Sequence, residues 1–245
     1  MPRTETNPPA QARRHRVLYR HPLAVRLTHW TNVLCIAALL PSGLQISNAH
    51  PALYLGAASA FAHPLVALPT FPDGATLPDF RDLALGRRWH FFFAWLFAGN
   101  LVLMLGYGLA SGRYRTMLAP SFADLRGIGR DIVDHLRLRF AQDAGGYNVL
   151  QKLAYLGVVG LLAPLMLLTG LCLSPGLDAV FPWLPGLLGG RQTARTIHFI
   201  SAAGIALYVA VHLAMVVASG PINNLRAIIT GRYHLREDAD ARGPA

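Results

Sequence analysis

His198 and His212 lie fourteen residues apart in Arg195–Val217, RTIHFISAAGIALYVAVHLAMVV, an apolar run long enough to cross a bilayer. An ionisable side chain inside a membrane span is costly and marks a functional site by default. On a helix the two are about 21 Å apart along the axis and only about 40° off a common stripe. One helix thus presents two imidazoles on nearly one face, one towards each edge of the hydrocarbon layer. Neutral imidazole is a metal ligand. The spacing points to two metal centres stacked across the membrane, with the other half of each site supplied elsewhere in the chain.

Composition agrees with a membrane setting. The 245 residues are 53% hydrophobic and 14% charged, against roughly 25% charged in a soluble domain. The net charge of +10 does not indicate nucleic acid, because the basic residues cluster beside apolar spans and no nucleic-acid motif accompanies them. The expected environment is membrane lipid. Cys35 and Cys172, both in apolar runs, are too few for a disulfide framework or an iron–sulfur site. No Cys-x-x-Cys-His occurs, which excludes covalent c-type haem attachment.

Four spans are expected. The first runs from Leu23 to Ile46 and opens on a polar cluster containing His29 and Trp30. The second is Phe91–Leu109, with His90 at its very start and Asn100 its one polar residue. The third is Leu150–Leu173, kinked at Pro164 and without histidine; Arg195–Val217 is the fourth. The Pro-rich connection 47–88 has an apolar middle, broken by Pro64, that reads as a loop on or dipping into the interface. The basic connection 111–146 contains SFADLRGIGRDIVDHLRLRF, whose helical periodicity suits the membrane surface.

Seventeen of the 22 Lys and Arg fall in the N-terminal arm, the middle connection and the tail, with Arg26 and Lys152 at the adjoining starts of the first and third spans counted among them. The positive-inside rule therefore puts both termini in the cytoplasm. The expected fold is an all-α membrane protein, a four-transmembrane-helix bundle with a long outer loop between the first two helices. Its parts are a disordered cytoplasmic arm over 1–20, the transmembrane unit over 21–219 and a cytoplasmic tail over 220–245.

This topology matches the histidines by depth: His90 with His198 near the outer face, and His29 with His212 near the cytoplasmic face. Two imidazoles on one haem leave no open position, which suits electron transfer. Each histidine alone could equally be a satisfied helix-end residue. A zinc site lacks further ligands, because no Glu, Asp or Cys joins either pair. Gly43, Gly99, Gly106, Gly170 and Gly204 lie within spans and serve close helix packing, clearance for a flat macrocycle, or both. The aromatic run Phe91, Phe92, Phe93, Trp95 and Phe97 is expected to face lipid or core. His15, His21, His135 and His234 fall in polar segments and are expected to be solvated. Some of the five outer arginines, Arg81, Arg87, Arg88, Arg191 and Arg195, lie close enough in sequence to His90 and His198 to serve haem propionates.

The arrangement resembles the di-haem b-type cytochrome subunits of bacterial Ni,Fe-hydrogenases and formate dehydrogenases, the prokaryotic cytochrome b-561 family. The segments RLTHWTN, GRRWHFFFAWLF, PLMLLTGL, GGRQTARTIHF and NNLRAIITG look most like its thiosulfate-reductase-type branch. The resemblance spans roughly Tyr19–Tyr233. It implies two haem b groups, held by His29 with His212 and by His90 with His198. It implies a bacterial inner-membrane subunit that exchanges electrons between quinone and a periplasmic catalytic partner, such as a molybdopterin oxidoreductase. Substrate chemistry would belong to that partner. Quinone would exchange near the cytoplasmic-side haem, where Arg26, Asn32, Asn223 and Asn224 offer polar contacts. The alternative within the fold is a stand-alone superoxide:quinone oxidoreductase. A histidine proton relay in a transporter has no inverted repeat or intramembrane acid to support it.

Overall fold

The computed structural model describes residues 17–117, 126–129, 131–133, 137 and 149–234. Residues 1–16, and most of the segment read as a surface helix, lie outside the described residues. Four helices are long and apolar enough to span a membrane: α1 (Leu23–Ala49), α2 (Leu83–Ala110), α4 (Val149–Leu173) and α6 (Arg191–Ala218). Shorter helices are α3 (Arg113–Met117), α5 (Pro175–Val180) and α7 (Pro221–Thr230).

Each long helix runs further than apolarity alone marks. α2 begins at Leu83 because the Asp82 carboxylate caps it, accepting from the Leu85 amide at 2.9 Å. A capping oxygen satisfies one of the orphan N–H groups of the first turn. His90 therefore stands two turns inside α2, not at its very start as the apolar run indicated. In α4, residues Leu156–Leu162 form a π-helical stretch just before Pro164. Proline lacks an N–H and crowds the carbonyl four residues back, and a wider turn is one way a helix accommodates it. The adjustment sets Leu162 against Gly204 of α6, where an added Cβ would meet its Cδ1 at 3.2 Å.

α1 packs along α2 and α4 along α6, and contact between these two hairpins is sparse. Much apolar surface faces outward, with Val102, Leu103, Leu109, Leu207 and Val217 each more than 60% exposed. Such a surface suits lipid, whose tails are as apolar as these side chains. In the aromatic run, Phe92 and Trp95 are exposed and Phe93 is buried. Inside the α1–α2 hairpin, Asn100 Nδ2 donates to Asn32 Oδ1 at 2.7 Å and to Thr28 O at 2.9 Å.

The long loop between α1 and α2 contains no helical span. It folds back as a hairpin of β2 (Ala52–Leu53) and β3 (Val66–Ala67). α6 holds it: Arg195 donates to Ala52 O, Thr196 Oγ1 to Tyr54 O at 2.7 Å, and Gly56 N to Thr193 Oγ1 at 2.8 Å. Asn48 of α1 pairs with the Phe71 backbone through both amide atoms, at 2.8 and 3.0 Å. At the other end of the bundle, β1 (Val17–Tyr19) pairs antiparallel with β4 (Arg232–His234). β1 and β4 thus lie at the same end of the bundle, as an even number of spans between them requires.

His21 sits at that junction, partly buried, where the polar context of the sequence indicated solvation. Its pKa falls from 6.5 to about 4, through burial first and then the charges of Arg20, Arg113 and His29. Since the unfolded chain takes up this proton more readily, the stabilising effect is complete above pH 6.5 and is lost as pH falls towards 4. His21→Gln is expected to shrink the drop in melting temperature between about pH 7 and about pH 5; an unchanged drop would place the acid sensitivity elsewhere.

Gly190 gives a second test. It has φ +113°, and an added Cβ would lie 2.5 Å from the backbone of Gly56 and Ala57. Gly190→Ala is expected to cost about 1–3 kcal/mol and to loosen the hairpin. Chymotrypsin cleavage at Tyr54 or Phe61 should accelerate, and unaltered cleavage would count against the clamp.

Candidate haem-ligand site

α6 supplies His198 and His212 from its two ends. His198 faces His90 of α2, ring centroids 6.3 Å apart at 66°. His212 faces His29 of α1, ring centroids 6.4 Å apart at 63°. All four sequence-derived candidates are thus brought together in two pairs, each joining one hairpin to the other. Their separation along α6 is about 21 Å.

The spacing of each pair fits a metal bound between the rings. An imidazole nitrogen ligates a metal at about 2 Å, and the ring centroid lies roughly 1.2 Å behind it, so two opposed ligands place their centroids about 6.4 Å apart. Both observed separations agree. Among the described residues, no group of three or more His, Cys, Asp or Glu could hold a metal ion. A protein zinc site needs at least three such ligands. Two imidazoles suit instead a metal whose other positions are filled by its own macrocycle, as in a haem.

The surroundings of the His90–His198 pair fit that group. Ser42 Oγ lies 3.0 Å from His90 Nδ1, and Thr169 Oγ1 lies 2.8 Å from His198 Nδ1. Gly43 and Gly170 follow these hydroxyl residues directly. A Cβ on either would come within 3.5 Å of His90 Cε1 or 3.6 Å of His198 Cε1. Their missing side chains therefore leave clearance beside the rings. Gly204 serves helix packing, while nothing lies within 4 Å of a Cβ built on Gly99 or Gly106. At the other pair, the Tyr208 ring stacks on His212 at 5.8 Å and 18°. Trp30 meets His29 edge-on at 5.6 Å.

Other polar candidates have structural partners. Asn32 is held by Asn100, Asn223 binds the His234 backbone through both amide atoms, and Asn224 donates to Ser219 Oγ. Arg191 pairs with Asp178 at 2.9 Å, Arg87 lies over the Phe91 ring, and Arg195 is turned to the loop. Arg26 Nε, like Arg195 Nε, is buried with no hydrogen-bond partner among the described residues. Ser42 and Thr169 were missed in the sequence reading. The signal was present as Ser42-Gly43-Leu44 and Thr169-Gly170-Leu171, one on the helix before each outer histidine.

Comparison with known proteins bears on the site. The family model described as prokaryotic cytochrome b561 matches residues 20–231. The chain is 34% identical over 198 residues to a putative protein-methionine-sulfoxide reductase subunit YedZ1 of Azospira oryzae, covering 80% of this chain and 89% of the relative. It is 24% identical over 224 residues to a probable Ni/Fe-hydrogenase B-type cytochrome subunit of Cupriavidus necator, covering 86% and 83%. A subunit of the same description from Rhodobacter capsulatus is 22% identical over 242 residues, covering 92% and 85%.

The glycine clearance predicts a size threshold. Gly170→Ala places its Cβ at an ordinary contact distance, 3.6 Å, and is expected to leave haem content unchanged. Gly170→Leu is expected to displace the His198 ring and lower the haem-to-protein ratio. Equal ratios in both variants would refute the clearance role.

Proposed function

Because the chain belongs to the prokaryotic cytochrome b561 family, a family of multi-pass membrane b-type cytochromes that act as electron-transfer subunits, we propose that it carries electrons between the quinone pool and a periplasmic oxidoreductase partner through two haem b groups. The observation that supports this best is the pair of imidazole couples at opposite ends of α6, each at bis-histidine spacing. His90 and His198 would hold the haem near the periplasm, and His29 and His212 the one near the cytoplasm. When bound, haem b supplies a reversible one-electron iron couple. The chain's own residues hold the two centres at fixed depths, and the Ser42 and Thr169 hydroxyls orient the His90 and His198 rings.

The orientation proposed is that of the positive-inside count, with both termini cytoplasmic in a bacterial inner membrane. The hairpin loop held on α6 then faces the periplasm and forms part of the partner's landing surface. The partner is proposed to be a molybdopterin enzyme, in keeping with the segment resemblance. All three relatives are named as subunits, which favours a partnered protein over a stand-alone superoxide:quinone oxidoreductase. Quinone is proposed to exchange at the cytoplasmic end, where the buried Nε of Arg26 in α1 has no partner among the described residues and is suited to donate a hydrogen bond to a quinone oxygen.

Pyridine haemochrome titration should give two haems per chain. His198→Ala and His212→Ala are each expected to lose about half of the haem, and His198→Ala together with His212→Ala nearly all of it. Full haem content in His198→Ala would refute the assignment.

A further inference from the structure

The two hydroxyls at the outer pair repeat one arrangement. Ser42 Oγ lies 2.7 Å from Ala38 O, and Thr169 Oγ1 lies 2.6 Å from Leu165 O. Both residues are fully buried, at 0% exposure. A carbonyl oxygen only accepts, and a hydroxyl has one proton. At these distances each hydroxyl must donate to its own helix carbonyl. It then has only lone pairs to offer the neighbouring ring, so His90 Nδ1 and His198 Nδ1 must each carry a proton and donate to it. In a neutral imidazole the other nitrogen, Nε2, is then unprotonated and available to a metal. No described residue makes a comparable hydrogen bond to the ring of His29 or His212, whose nearest ring neighbours are aromatic.

We propose that Ser42 and Thr169 are positioning residues that lock the metal-binding tautomer of both outer histidines and hold the outer centre at a lower reduction potential than it would have without them. The inference rests on the ligand assignment proposed above. Its physical basis is that an imidazole donating its remaining N–H becomes a more basic ligand. A more basic ligand favours the ferric over the ferrous state, and hydrogen bonding around the ligands is one of a protein's levers on haem potential. The device acts at one centre only, because the hydroxyls serve His90 and His198 and not His29 and His212. It thus separates the potentials of two centres with identical first ligands.

The test is a spectroscopic redox titration of the purified haem-loaded protein, with ferric low-spin EPR of each centre. Thr169→Val keeps the side-chain shape and removes the hydroxyl; Ser42→Ala does the same from the opposite ligand. Each is expected to shift the same one of the two midpoints to more positive values, with its EPR signal, and to leave the other midpoint in place. Thr169→Ser restores the hydroxyl and is expected to return both readouts to the parent values. Loss of one haem in Thr169→Val with retention in Thr169→Ser would also support the role, since it shows dependence on the hydroxyl. The proposal is overturned by midpoints that do not move, by equal movement of both, or by the two variants acting on different centres. Failure of the ligand assignment reads differently: His198→Ala would retain both haems.

Discussion

Inside a bilayer no water is at hand to satisfy a polar group, and this constraint governs the interior of the bundle. An unsatisfied donor or acceptor there costs several kcal/mol. Several buried polar side chains on the spans accordingly meet partners, while Arg26 Nε, Gln45 Oε1 and Arg195 Nε find none among the described residues. Ser42 and Thr169 each bond a carbonyl of their own helix and an imidazole of the next. Asn100 bonds Asn32 and the Thr28 carbonyl. These contacts tie α1 to α2 and α4 to α6, so the bundle is organised as two polar-stitched hairpins. Within the helices, the histidine rings are polar groups that meet across the two hairpins.

That division makes the site possible. If all four helices packed tightly on one another, apolar side chains would fill the space beside the rings. Instead the hairpins pack internally and touch sparsely, and glycine occupies the positions next to His90 and His198. The ends of the bundle then fix its geometry. The β1–β4 ladder joins the segments flanking the bundle on one side, and the α1–α2 loop is bound to the start of α6 on the other. α6 is thereby held at both ends, and the depths of its two histidines are held with it. Family membership gives this geometry its context, since b-type cytochromes work by keeping haems at set positions.

Much of this was legible in the residues. Apolar length gave the four spans to within a few residues at most ends, and the exception is informative. α2 starts at Leu83 because of a cap at Asp82 and not because of hydrophobicity, so the basic residues before Phe91 belong to the helix. The 52–67 region reads as too broken for a span, and it forms a hairpin. The polar candidates at the end of the bundle that carries β1 and β4 were harder to place. Asn32, Asn223 and Asn224 are polar residues near a membrane face, and only the fold shows that other residues already engage them. His21 looked solvated beside arginine and proline, yet the junction of the two chain ends partly buries it.

The sequence by itself determined the number of spans, the helix carrying two imidazoles and their vertical interval, because these depend on local quantities: hydropathy and the 1.5 Å rise per residue. It also limited the metal chemistry, because no acidic or thiol ligand accompanies either pair. Only the tertiary structure decided how closely the imidazoles approach, which glycines face them and which hydroxyls grip them. Those depend on the rotation of each helix about its axis and on the π-helical turn before Pro164, which are settled by side chains meeting across helices. Ser42 and Thr169 are unremarkable in the chain and become specific only when a histidine from the next helix arrives beside them.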